Sequence, residues 1–219
     1  MKLSKETLGK LKNFSEINTN LLINSGSVLK TVNSSKSLLG ETKVSENFGV
    51  NDFGIYDLNE FLGILSLFED PDIQFSEKFV TISEGKSNIK YYSASKEVLV
   101  YPNKDITFPE VDIQFDLKAD VVASIRKVAS VLNASNICVT GDGENISVKI
   151  GDTKNATAPA YNTVLGTTDK TFNAILKVDH FKLIPGAYTV SLSKKKISRF
   201  VSGDNTYYIA VESDSSFDF

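Results

Sequence analysis

The chain has 219 residues, 24 Lys and Arg against 27 Asp and Glu, a formal net charge of −3 and one cysteine. That length allows one large domain or two of about 100 residues, each with a workable core. Cys138 alone excludes a disulfide framework, the N-terminus has no apolar signal-peptide core, and the apolar stretch 61–68 is too short for a bilayer, so composition points to a cytosolic globular protein rich in strands and turns. Without export, the glycosylation patterns at Asn33-Ser-Ser and Asn155-Ala-Thr are coincidental.

Apolar periodicity predicts helices over 4–17, 57–68 and 119–133, and a short one over 178–184. The first sets Leu8, Leu11, Phe14 and Ile17 on one face and stacks Lys5 above Lys12 well away from it. In the third, Val121, Ile125, Val128 and Leu132 face the core while Arg126 and Lys127 point outward. The fourth adds Lys177 and Lys182, whereas 57–68 offers only Asn59, Glu60, Gly63 and Ser66. Between the helices, alternating or β-branched runs predict strands at 21–23, 74–82, 88–92, 146–150, 188–192 and 207–211.

One helix followed by several strands recurs four times, and the two halves of the chain match. Residues 3–14 laid on 117–128 put Leu3 on Leu117, Leu8 on Val122, Leu11 on Ile125, Lys12 on Arg126 and Phe14 on Val128. A second register sets Ile55 on Ile175, Tyr56 on Leu176, Leu58 on Val178 and Phe61 on Phe181. This duplication predicts an α+β chain of two similar domains, 1–102 and 111–219. The run 103–110 serves as an extended connector, kept from helix by its flanking Pro102 and by Pro109. Ile106 and Phe108 on that connector either pack beneath it or offer an apolar contact.

Catalytic chemistry is poorly represented. His180 is the only histidine, so any triad or histidine-based zinc site would rest on it alone. Gly141-Asp-Gly-Glu144 lies between strand-like runs and reads as a hairpin turn, and Glu69, Asp70 and Asp72 around Pro71 read as a solvated loop. No catalytic residue, metal or other cofactor is assigned. Basic helix faces on an acidic chain either are simply solvated or meet a polyanion. Without a recognition helix or base-reading aromatics, the second case means phosphate contacts indifferent to sequence.

Several stretches resemble the sliding clamps of DNA replication, in particular those of T-even-type bacteriophages, which share a clamp family with proliferating cell nuclear antigen. They are 1–5 (Met-Lys-Leu-Ser-Lys) with Leu11-Lys-Asn-Phe14, Ile55-Tyr-Asp-Leu-Asn59 with 61–67, Pro102-Asn-Lys104 with Phe108-Pro109, Pro185-Gly186 with Tyr188, and Glu212-Ser-Asp-Ser215 with Asp218-Phe219. Segments 30–50, 72–98 and 152–170 depart from the pattern. The resemblance implies a DNA-clamp fold: a homotrimeric ring with strands outside and helices lining a hole around duplex DNA. It implies a processivity factor that tethers the replicative DNA polymerase, is opened by an ATP-dependent clamp loader, and works in the cytoplasm of an infected bacterium. Other DNA-acting proteins, late-transcription factors among them, would dock on the same platform.

Carried onto this chain, the DNA-facing cations are Lys5, Lys12, Arg126, Lys127, Lys177 and Lys182, with Lys2 and Lys10 peripheral. A client peptide would enter an apolar pocket beside the connector formed by Val32, Ile106, Phe108, Tyr208 and Val211. The alternative is an oligomeric β-rich structural virion protein whose basic faces are merely solvated; a hydrolase built on His180 ranks third.

Overall fold

A computed structural model describes residues 1–151 and 158–219, and the chain divides into two compact units, Met1–Asp105 and Ile106–Phe219. Residues 152–157, which include the Asn155 pattern and part of the divergent segment 152–170, lie outside the described residues.

The first unit opens with α1 (Lys5–Ile17), started by the Ser4 hydroxyl, which accepts the Thr7 N–H at 3.1 Å. Three strands follow, β1 (Leu21–Ile23), β2 (Gly26–Val32) and β3 (Leu38–Phe48), then β4 (Phe53–Ile55) and α2 (Leu58–Leu65). β5 (Asp72–Phe75), β6 (Phe79–Glu84) and β7 (Ser87–Tyr92) close the unit, with one 3-10 turn at Lys96–Val98. β1 pairs antiparallel with β4, β2 with β3, and β5, β6 and β7 form a meander. The Asn33 carboxamide shapes the β2–β3 turn by accepting the Ser37 and Leu38 N–H groups.

The Asp57 carboxylate caps α2 by accepting the N–H groups of Asn59 and Glu60. This helix is shorter than its apolar pattern predicts. From Ser66 the chain tightens to i→i+3 bonds, Leu67 to Ile64 and Phe68 to Leu65, before Pro71. The predicted strand 74–82 is in fact two, because the Ser76 hydroxyl donates to the Phe79 carbonyl at 2.6 Å and folds a turn between β5 and β6.

In the second unit, β8 (Ile113–Leu117) leads into α3 (Ala119–Val131), which ends where Asn133 adopts a positive φ of 48°. β9 (Asn136–Asp142), β10 (Asn145–Gly151), β11 (Ala160–Thr167) and β12 (Thr171–Lys177) follow, then β13 (Tyr188–Ser193), β14 (Ile197–Ser202), β15 (Asn205–Ala210) and β16 (Ser216–Phe217). One sheet runs β11-β10-β9-β12-β16 and another contains β15-β14-β13-β8 in that order. α3 packs its buried Val122, Ile125 and Ala129 against β9 and β10. This face is turned from the predicted one, since Val121, Val128 and Leu132 are only half-buried. Gly141 on β9 has no room for a side chain: a Cβ there would stand 2.3 Å from the Phe172 ring and 2.6 Å from the Lys170 carbonyl. The predicted hairpin turn forms at Gly143, where φ is 91°.

The fourth predicted helix is corrected to a single 3-10 turn, Val178–His180. Phe181 and Leu183 are both buried, an alternation that suits extended chain, and Pro185 bars a helix from running through Ile184. Each unit therefore presents a helix ahead of antiparallel strands, as the internal match requires. The turn after β12 stands where α2 follows β4. No helix among the described residues is long and apolar enough to cross a membrane.

Candidate nucleic-acid interface and docking face

α1 buries Thr7, Lys10, Leu11, Phe14 and Ile17 and leaves Lys5 and Lys12 exposed, two helical turns apart on one side. They border a groove of about 760 Å³ between α1 and α2, floored by Leu3, Leu8, Leu62, Leu65, Phe68 and Ile73. Leu8, placed by the pattern in the core stripe, is half-buried and faces this groove.

Lys10 is removed from the outward cations. It is only 5% exposed, its Nζ stands 2.6 Å from the Glu6 carboxylate, and it donates to the Lys43 carbonyl at 2.8 Å. Apolar periodicity cannot anticipate this, because a lysine whose stem joins the core pattern and whose head meets a carbonyl occupies a position that reads as polar. Lys2 is exposed but pairs with Asp70, and that hydrogen bond raises its pKa. The backbone of this loop is held from β6, since the Glu84 carboxylate accepts the N–H groups of Glu69 and Asp70.

On α3, Lys127 is exposed and Arg126 half-buried; Lys127 borders a second hollow with Val128, Val131, Leu132 and Tyr161. Lys177 ends β12 and pairs with Glu212 at 3.4 Å, and Lys182 lies half-buried beyond the 3-10 turn. Lys2, Lys10, Lys30, Lys96, Lys177 and Lys194 each have a carboxylate partner, whereas among the described residues none pairs with Lys5, Lys12, Arg126 or Lys127, as none does with loop lysines such as Lys36 and Lys86. His180 is half-buried, and burial followed by the Lys177 charge pushes its pKa below the ordinary histidine value, which favours the uncharged imidazole.

The docking candidates divide between the units. Val32 closes β2 and is buried in the first; Ile106, Phe108 and Tyr208 are half-buried and Val211 is buried in the second. Lys30 fastens the start of the connector by pairing with both Asp105, at 2.5 Å, and Glu41, at 3.3 Å. Phe108 lies over the solvent side of the β13–β14–β15 sheet, its ring 6.3 Å from that of Tyr208. Arg199, absent from the sequence-based set, completes this face with its guanidinium 4.7 Å from the Phe108 ring centre. Its one available signal is the alternation of β14, which sets Ile197, Arg199 and Val201 on the same side.

Two α+β units, each with a helix on antiparallel strands and unpaired cations on its outer side, define the architecture of a DNA clamp. A family profile described as DNA polymerase processivity factor matches residues 4–101, and one described as gp45 sliding clamp, C terminal, matches 114–213. The sliding clamp of Enterobacteria phage T4 is 34% identical over 230 residues and that of Escherichia phage RB69 is 32% identical over 231, with all of both chains covered in each case. The chain belongs to the sliding-clamp family of DNA polymerase processivity factors.

Solved structures agree on the fold. A putative DNA polymerase III beta subunit from Eubacterium rectale superposes with a TM-score of 0.74 at 15% identity, covering 100% of this chain and 67% of that one. A. fulgidus PCNA bound to the C-terminal region of FEN-1 gives 0.68 at 12% identity, covering 98% of each chain.

Proposed function

We propose that three copies of this chain close head to tail into a ring around duplex DNA and hold the replicative polymerase to its template. The observation that carries the DNA contact is the placement of Lys5, Lys12, Arg126 and Lys127 on two matching helices, without carboxylate partners among the described residues. Such cations are available to phosphates, and contacts without base readout let a ring slide. Lys182 and Lys177, the latter by exchange of its Glu212 pair, are further DNA-facing candidates through their position; Lys2 stays peripheral.

Two strand edges support a ring of unlike contacts. β7 ends the first unit's meander and β11 ends a sheet of the second, and they carry the exposed Tyr92 and Val164. Unlike surfaces that meet head to tail close into rings when the angle permits. An ATP-dependent loader is then required, because a closed ring cannot admit a circular duplex. The protein itself catalyses nothing, so a His180→Ala variant retains full support of the polymerase. Residues 103–110 act as the connector between domains 1–102 and 111–219.

Client proteins dock beside that connector through Ile106, Phe108, Tyr208 and Val211, and Val32 is a further candidate. The clients include the polymerase and other DNA-acting proteins, late-transcription factors among them, in the cytoplasm of an infected bacterium. Family membership leaves the virion-protein alternative without an observation in its favour. The test loads the protein onto nicked circular DNA and then linearises it. Retention on the circle with loss from free ends is expected, together with a trimer by native mass spectrometry. A strict monomer at micromolar concentration, or equal retention on both DNAs, overturns the ring.

A further inference from the structure

Arg199 is one of only two arginines in a chain that otherwise relies on lysine. It sits on the solvent side of β14, between Ser191 of β13 and Tyr208 of β15 in the strand register. The Phe108 ring covers one side of its guanidinium, and its Nη2 donates to the Ser191 hydroxyl at 3.4 Å. Its Nε is buried with no hydrogen-bond partner. No carboxylate pairs with it among the described residues, although six lysines find one. On the same sheet face, the Asp116 carboxylate accepts from Thr189 at 3.0 Å, two strands away from β14.

We infer that Arg199 is a specificity residue that receives a carboxylate side chain from the docked client peptide, next to an apolar anchor held by Phe108 and Tyr208. This rests on the proposal that clients dock on that face. A planar fork favours a carboxylate over a point charge, and the ring beneath it fixes the plane of the fork in advance. A lysine there would supply charge without geometry. The isolated cation also argues against a nucleic-acid groove, which needs a track of positive charge along the backbone. The recognised segment is therefore an acidic residue adjoining aromatic or aliphatic ones, and an amide in place of the acid leaves the fork unsatisfied.

The probe is a library of blocked octapeptides displayed and panned on the full-length protein. Peptides with Asp or Glu beside an apolar pair are expected on the wild type. The best binder is then compared with its Asp→Asn or Glu→Gln twin by fluorescence titration. The acid form should bind about tenfold tighter, Arg199→Gln should abolish that difference, and Arg199→Lys should restore only part of it.

Equal affinity of the twins for the unmodified protein overturns the inference without recourse to any variant. Displacement of the bound peptide by a short single-stranded oligonucleotide or by inorganic phosphate, but not by acidic peptides, also overturns it. Phe108→Ala separates the two readings, because loss of the apolar anchor should weaken both twins, the acid form at least as much as the amide. If Phe108→Ala leaves both unchanged, the docking face itself is misplaced; if it weakens both while Arg199→Gln changes nothing, the docking face stands and the carboxylate contact falls.

Discussion

The Thr7 hydroxyl on α1 donates to the Glu46 carboxylate on β3, and the same carboxylate accepts the Ser4 N–H at 2.5 Å. The start of the helix is thereby fastened to the longest strand of its unit. Burial alone pushes this carboxyl up, but the donors from Thr7 and Ser4 outweigh it and hold the pKa below the ordinary glutamate value. A carboxylate depressed in the folded state contributes stability above its unfolded pKa, and that contribution is lost as pH falls through the lower folded value. Glu46→Gln is expected to cost about 1 kcal/mol near neutral pH, discounted for partial exposure, and less at an acidic pH below the ordinary glutamate value. Urea midpoints of the two proteins at both pH values check this; a constant difference contradicts it.

Reversal of Lys5, Lys12, Arg126 and Lys127 together to Glu should impair loading and sliding on DNA while leaving the oligomer intact. Because the contacts are to phosphate, retention should fall with added salt, and milder, partly neutralised variants should show a shallower salt dependence than the parent. Retention on nicked circles across a salt series, beside native mass, measures it. Unchanged retention removes these side chains from the DNA path.

Lys10 and Lys12 should behave oppositely. Lys10→Ala strands the Lys43 carbonyl and removes the Glu6 partner, so a loss of about 1–3 kcal/mol in unfolding free energy is expected with DNA retention preserved below the melting range. Lys12→Ala should leave stability within about 0.5 kcal/mol and weaken retention. Thermal melts and retention assays run on both variants separate the two roles.

Phe108→Ala and Tyr208→Ala should each lower affinity for the polymerase about tenfold or more, as loss of a docked aromatic contact does, without changing subunit assembly. Titration of labelled polymerase, with native mass as the control, decides the matter. Equal affinity in both variants places the pocket elsewhere.

The outward lysines were legible because helical spacing and the internal match carry the same message twice: Lys12 and Arg126 occupy matching turns of matching helices. The fourth helix misled because residues 178–184 mimic a helical spacing over barely two turns. There the burial of Phe181 and Leu183, together with Pro185, outweighed local pattern. The run 74–82 looked continuous because the turn at Ser76 is made by a side-chain hydroxyl and contains no Gly or Pro. Arg199 and Phe108 lie far apart along the chain, and only the sheet register with the path of the connector brings them together. Lys10 was legible as a cation but not as a buried one, since its partner carbonyl belongs to β3.

The unpaired margins of β7 and β11 also bear on how such a molecule fails. Each margin is a template for another strand, and the two differ in side chains, which favours the unlike pairing of the proposed ring. In the proposed ring, should the angle between successive copies drift from the one that closes the circle, the same contacts would continue indefinitely and produce a filament. Substitutions that bend either strand would therefore register first as a rise in particle length with concentration, well before any loss of folded structure.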